Sequence, residues 1–244
     1  MPHNYQLEIC ANSVTSALAA QAGGADRIEF CQNLETGGTT PSHGQISTTR
    51  QHVDIGIHVL IRPRGGDFLY SDLEYEEMKA DIRFCKASGC EGVVIGLLHD
   101  DGRIDIQRTA ELVALAAPMH VTFHRAFDRC AEPFQALEDI IGCGCGRLLT
   151  SGLRNTAEEG ISLIKELVVR AQGRIEIMPG SGINALNIQQ LARETGALAF
   201  HTSAKVIARS KMEFANDDVK GMGDEYWVTS TQKVREIADL LNNL

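Results

Sequence analysis

Alternation within short apolar runs decides which residues are placed to do chemistry. In a strand flanked by helices, one parity packs outward and the other faces inward. Leu7 and Ile9 fit the outward role, which leaves Glu8 and Cys10 inside; Ile28 and Phe30 likewise leave Arg27, Glu29 and Cys31 inside. The same reading turns His58 and Arg62 inward, then His120, Thr122 and His124, then Glu176 and Met178, and finally Ala199 and His201. Buried charges must be paired, protonated or bound to metal, because desolvation otherwise costs several kcal/mol each. Inward glutamates facing arginines and histidines therefore describe either a polar site or a salt-bridge network that only knits the interior together.

Three chemistries are open to these residues. Glu8 and Glu29 are expected one strand apart at nearly the same height, where one carboxyl pKa rises unless a cation intervenes. Arg62, inward on the next strand, is the expected cation, in contact with at least one of them. Cys10 and Cys31 end adjacent strands, which run about 4.8 Å apart. Two thiols so placed converge on a soft ion such as Cu(I), or pack as inert buried groups. His124, with Asp128 close behind it, reads as a general acid or base beside a carboxylate, or as a histidine that only hydrogen-bonds; His201 carries the same two readings.

Anion recognition has its own signals. Arg62-Pro-Arg-Gly-Gly-Asp67 places two guanidiniums, Arg62 and Arg64, after the third strand, where forked hydrogen bonds suit a carboxylate or phosphate. Pro179-Gly-Ser-Gly-Ile183 follows the seventh strand, so Gly180 and Gly182 let backbone N–H groups approach an anion, with Ser203 in the partner position after the eighth. A solvated Arg–Asp loop and a plain tight turn are the corresponding structural readings. Cys143 and Cys145 precede a strand at the opposite end and read as packing.

The elements that must position these groups recur along the chain. Strand candidates span 5–10, 26–31, 57–62, 92–97, 120–125, 147–151, 175–178 and 198–201, with helical patterns at 14–22, 73–88, 104–116, 133–141, 156–171, 185–195 and 229–241. Gly24, Gly89, Gly144 and Gly196 each stand between a helix and the next strand, where glycine supplies a left-handed cap. Eight βα units without a linker predict a single (β/α)₈ TIM barrel over residues 1–244. A doubly wound sheet is the competitor, but its G-x-G-x-x-G turn is missing after Cys10. The stretch 202–228, including Asn216 and Gly221, reads as a long loop at the C-terminal face, a lid or an oligomer contact.

Composition narrows the class. The 244 residues carry 23 Lys and Arg against 32 Asp and Glu, a net charge of −9, so nucleic acid and anionic membranes are not expected partners. No apolar run approaches the ~20 residues that span a bilayer, and the first five residues lack a signal-peptide pattern. Seven cysteines without a CxxC pair point to reduced thiols and a cytoplasmic protein.

Taken together, the rim motifs resemble one family. Leu7-Glu-Ile-Cys10, Gly23-Gly-Ala-Asp-Arg-Ile-Glu-Phe-Cys31, Gly37-Gly-Thr-Thr-Pro-Ser42 and Ile61-Arg-Pro-Arg-Gly-Gly-Asp-Phe68 are similar to the copper homeostasis proteins called CutC. Phe123-His-Arg-Ala-Phe-Asp128, Leu149-Thr-Ser-Gly152 and Pro179-Gly-Ser-Gly-Ile183 extend the match over nearly the whole chain, and bring Ser151 and Gly152 into the anion-binding set. The resemblance implies a cytoplasmic TIM barrel, a homo-oligomer with the dimer favoured, that is assigned to copper handling, with copper at Cys10 and Cys31. The alternative is an enzyme on a small phosphorylated or carboxylated metabolite. In it Arg62 orients the substrate and Glu8, Glu29 or His124 moves protons.

Overall fold

The computed structural model describes residues 5–214, 216, 218, 219 and 223–244. Eight parallel strands pair in chain order, with the last beside the first. They are β1 (Gln6–Ala11), β2 (Arg27–Phe30), β3 (Gly56–Leu60), β4 (Gly92–Ile95), β5 (His120–Phe123), β6 (Arg147–Thr150), β7 (Glu176–Pro179) and β8 (Ala199–Thr202). A parallel bridge between Gly180 and His201 joins β7 to β8 and closes the cylinder. A side chain at Gly180 would press on the Leu149 side chain, so glycine lets this seam close tightly.

The helices between strands are α1 (Val14–Ala22), α2 (His43–His52), α3 (Asp72–Ala87), α4 (Ile106–Ala116), α5 (Pro133–Gly142), α6 (Ile161–Ala171) and α7 (Ile188–Thr195), with α8 (Thr231–Asn242) near the end of the chain. This is the (β/α)₈ barrel that alternation and count predict. Outward parity holds: Leu7, Ile9, Ile28, Phe30, Ile57 and Phe200 are all buried beneath the helices. The glycine punctuation holds as well, since Gly24, Gly89, Gly144 and Gly196 all adopt positive φ, between +72° and +93°. Helix starts follow local chemistry. The Ser71 hydroxyl accepts from Glu74 N–H while the Glu74 carboxylate accepts from Ser71 N–H, a reciprocal cap for α3. Pro133 opens α5, where its missing N–H costs nothing.

Three local differences matter for the site. Helix α2, absent from the apolar pattern, is polar and short and is started by a Ser42–Gln45 capping box. Residues 156–160 form a turn, so α6 begins at Ile161, and α7 begins at Ile188 rather than at 185. Part of 202–228 is not loop: β9 (Lys205–Arg209) pairs antiparallel with β10 (Glu225–Thr229) as a ribbon. Asn12 Nδ2 donates to Trp227 O at 3.0 Å and Thr229 N to Ser16 Oγ at 3.1 Å, tying the ribbon to the start of α1. Gly221, named above within that stretch, lies outside the described residues.

The turn before α6 packs tightly against the segment after β6. A methyl on Gly160 would overlap the Ser151 carbonyl, a backbone atom that cannot turn aside. Gly160→Ala is expected to lower stability by on the order of 1–3 kcal/mol, read as a shift in the urea midpoint.

Candidate functional site

Register places the inward charges. Glu8 lies opposite Arg27 on one side and His201 on the other, while Cys10 lies opposite Glu29. The two glutamates are thus not at one height: Glu29 is level with Cys10, one inward position above Glu8. Glu8 is fully buried. Its Oε2 accepts from Arg27 Nε at 2.7 Å and its Oε1 is 2.8 Å from His201 Nδ1. His201 Nε2 stands 3.8 Å from Glu29 Oε2. Arg27 also reaches Gln6, Met178 and, at 3.9 Å, Glu176, whose carboxylate pairs with Arg147.

The expected contact between Arg62 and a glutamate is not made. The Arg62 guanidinium donates instead to the carbonyls of Thr36 (2.9 Å), Gly38 (2.8 Å) and Gly66 (2.8 Å). It stands beyond the end of β3 and binds the loops after β2 and β3 together, above the glutamate layer. Arg27, adjacent to Glu8 in register, takes the role assigned to Arg62. Parity had turned it inward; its pairing needed the register.

Burial is the strongest influence on Glu8 and opposes its charge. The His201 hydrogen bond and the Arg27 guanidinium overcome it and hold the carboxyl well below the usual range. Burial, reinforced by the Glu8 charge, pushes Glu29 up against the pull of His201. Burial also disfavours a charged His201, yet Glu29, Cys10 and Glu8 together keep its pKa well above the ordinary value. The ion pair at the floor is therefore Glu8 with His201, backed by Arg27.

Above this layer the sulfurs of Cys10 and Cys31 are 3.3 Å apart. Contact with Cys31 first, then burial, raises the Cys10 thiol well above its ordinary pKa. Cys31 is fully buried against Leu60 and Val94. Cys10, Glu29 and His201 form one side of a cavity of about 1000 Å³ that also meets Arg62, Phe68 and His124. Donor atoms of Cys10, Glu29 and Cys31 lie within 4.8 Å of one another, as do those of Glu8, Glu29 and His201. Two adjacent sulfurs are a donor pair that fits a soft ion, and Glu29 and His201 flank them.

The other expected residues separate. Asp128 does not pair with His124; it accepts from Arg125 Nε at 2.7 Å, from Ser151 N at 3.0 Å and from Leu153 N at 3.2 Å, clamping the loop after β6. Ser151 is spent on that clamp, and Gly152 packs against Gly160. Arg64 turns to Glu74 and Asp67, and Gly180 serves the seam. Of the anion candidates after β7 and β8, Gly182 and Ser203 line the cavity. His124 Nδ1 accepts from Ala126 N at 3.1 Å, and its Nε2 is buried without a partner. Burial, and then the nearby Arg62 charge, drive its pKa down to about 3, so it is a neutral imidazole at physiological pH.

Two expectations follow from these pairings. Arg27→Met leaves Glu8 with one cationic partner in place of two and should cost on the order of 3–5 kcal/mol in chemical denaturation at pH 7. His124 titrates near 6.5 when unfolded and about 3 when folded. Below pH 6.5 the unfolded chain gains a proton that the folded chain does not, so stability present above 6.5 is lost as pH falls toward 3. His124→Gln should remove on the order of 2 kcal/mol of the stability difference between pH 7 and pH 5, measured by urea titration at both values. An unchanged difference would show that His124 is not the buried neutral group described.

Known proteins match this chain from end to end. The model of the CutC family matches residues 5–206. A CutC family protein of Chromobacterium violaceum is 50% identical over 97% of this chain and 98% of its own length. The human copper homeostasis protein cutC homolog is 47% identical over 99% of this chain and 91% of its own. A solved structure of the CutC protein of Streptococcus agalactiae superposes with a TM-score of 0.78 at 34% identity, covering 82% of this chain and 98% of that one. Identity near one half across whole chains, on a shared barrel, leaves one assignment: this chain belongs to the CutC family.

Proposed function

We propose that the protein serves copper homeostasis by holding Cu(I) between the sulfurs of Cys10 and Cys31. The observation that carries this reading is the 3.3 Å sulfur–sulfur approach at the side of a large cavity. Two thiolates satisfy a soft d¹⁰ ion, and a reducing compartment maintains both that oxidation state and free thiols. The names of the human and mouse relatives, copper homeostasis protein cutC homolog, point the same way. With copper bound, Glu29 and His201 would surround the sulfurs, and the Glu8–Arg27 pair would keep His201 in place. In the same reading the protein works in the cytoplasm as a homodimer. The absence of any disulfide among seven cysteines supports that compartment, and the exposed Ile207 of the ribbon offers apolar surface to a second copy.

A second reading is an enzyme on a small phosphorylated or carboxylated metabolite. The cavity volume favours it, because about 1000 Å³ is the size of an organic-ligand pocket rather than of an ion site.

Anaerobic competition titration against a chromophoric Cu(I) chelator tests the copper reading. Wild type is expected to take one equivalent from the chelator, and Cys10→Ser/Cys31→Ser to lose at least about a hundredfold in affinity, on the order of 3 kcal/mol. Equal, weak binding by both proteins would end it.

A further inference from the structure

The two thiols differ in access. Cys10 is partly exposed and lines the cavity, whereas Cys31 is fully buried behind it. His201 sits against Cys10, its Nδ1 held by Glu8 and Glu8 held by Arg27. The remaining cysteines, 85, 90, 130, 143 and 145, are buried and none of them lines the cavity. A partly exposed cysteine at the cavity wall, a second thiol 3.3 Å behind it, and room for an organic molecule in front are the parts of a dithiol redox site.

We propose that Cys10 and Cys31 are a redox-active pair that reduces low-molecular-weight organic disulfides entering the cavity, Cys10 attacking and Cys31 resolving. In the first step the Cys10 thiolate, its proton released to solvent, attacks one sulfur of R–S–S–R. That bond breaks, one thiol RSH leaves after taking up a proton, and a Cys10–S–S–R mixed disulfide remains. In the second step Cys31, losing its proton, attacks the Cys10 sulfur; the Cys10–Cys31 bond forms and the second RSH leaves. One organic disulfide and two protein thiols become one protein disulfide and two free thiols, a two-electron exchange that excess small thiol reverses. A sulfur–sulfur bond is about 2.05 Å long, so resolution asks for roughly 1.2 Å of combined side-chain movement. The high pKa of the Cys10 thiol makes the exchange slow without changing its direction, since rate follows the thiolate fraction. The inference shares its sulfurs with the copper reading but needs no metal, and the closed disulfide would have no thiolate left for Cu(I).

The test uses metal-free, fully reduced protein with a chelator present, exposed to millimolar oxidised glutathione and followed by intact mass and peptide mapping. Wild type should lose two hydrogens, with the new bond mapped to Cys10 and Cys31. Cys31→Ser should instead accumulate glutathione on Cys10, at least about tenfold more than Cys10→Ser accumulates on Cys31. Circular dichroism and melting of both variants confirm that they remain folded. Glutathione arriving first at Cys31, reaction at the other five cysteines at the same rate, or an unchanged wild type would overturn the proposal. So would closure by hydrogen peroxide but not by the organic disulfide. Cu(I) titration of the oxidised protein separates the two readings. If the disulfide forms but reduced protein shows no thiol-dependent copper binding, the copper reading falls alone. If copper binds and no disulfide forms, this one does.

Discussion

A carboxylate with no access to water, Glu8, sets the terms for the inside of this barrel. An unpaired charge there would cost more than a small domain can spare, so Glu8 must be met by cations on both sides. Arg27 and His201 meet it from the two neighbouring strands. That requirement fixes the register of β2 and β8 against β1, because a slip of one residue would turn the partners outward under the helices. The seam at Gly180 and the position of His201 are then consequences of the same pairing.

From that pair the polar interior is built in two directions. Toward the N-terminal end, Arg27 reaches Glu176, and Glu176 reaches Arg147, which stands near His58 and Thr122. Burial, reinforced by the positive charge of Arg147 and Arg27, holds His58 near a pKa of about 3 and His120 near about 4. Toward the C-terminal end the same His201 faces Glu29 and Cys10, and the chemistry opens onto the cavity. The inward charges therefore divide by height: one group pairs within the barrel, and the other lines the cavity above it.

The loops above are organised by two further hubs. Arg62 ties the loops after β2 and β3 through three carbonyls. Asp128 ties the loop after β6 to the turn after β5. Arg62 had the chemistry of a substrate-orienting group in the sequence and Asp128 that of a carboxylate partner for His124, and each is spent instead on holding loops together. Charged residues at strand ends serve either purpose, and only the count of hydrogen bonds already made tells them apart.

The sequence by itself determined the barrel, the parity of six of its strands and the glycine caps, because each rests on local periodicity or on one residue's backbone freedom. It therefore put Glu8, Cys10, Glu29, Cys31 and His201 inside and near one rim. It left α2 without bounds, since that polar helix carries little apolar period, and it missed the β9–β10 ribbon, whose sequences Lys205–Arg209 and Glu225–Thr229 show no clean alternation. Tertiary structure decided the partners. Whether Arg27 or Arg62 met Glu8 depended on how far β2 and β3 are staggered against β1, and stagger is a property of the closed cylinder rather than of any one strand. The same stagger set Glu29 beside Cys10 instead of Glu8, and so placed a carboxylate and two sulfurs, rather than two carboxylates, at the mouth.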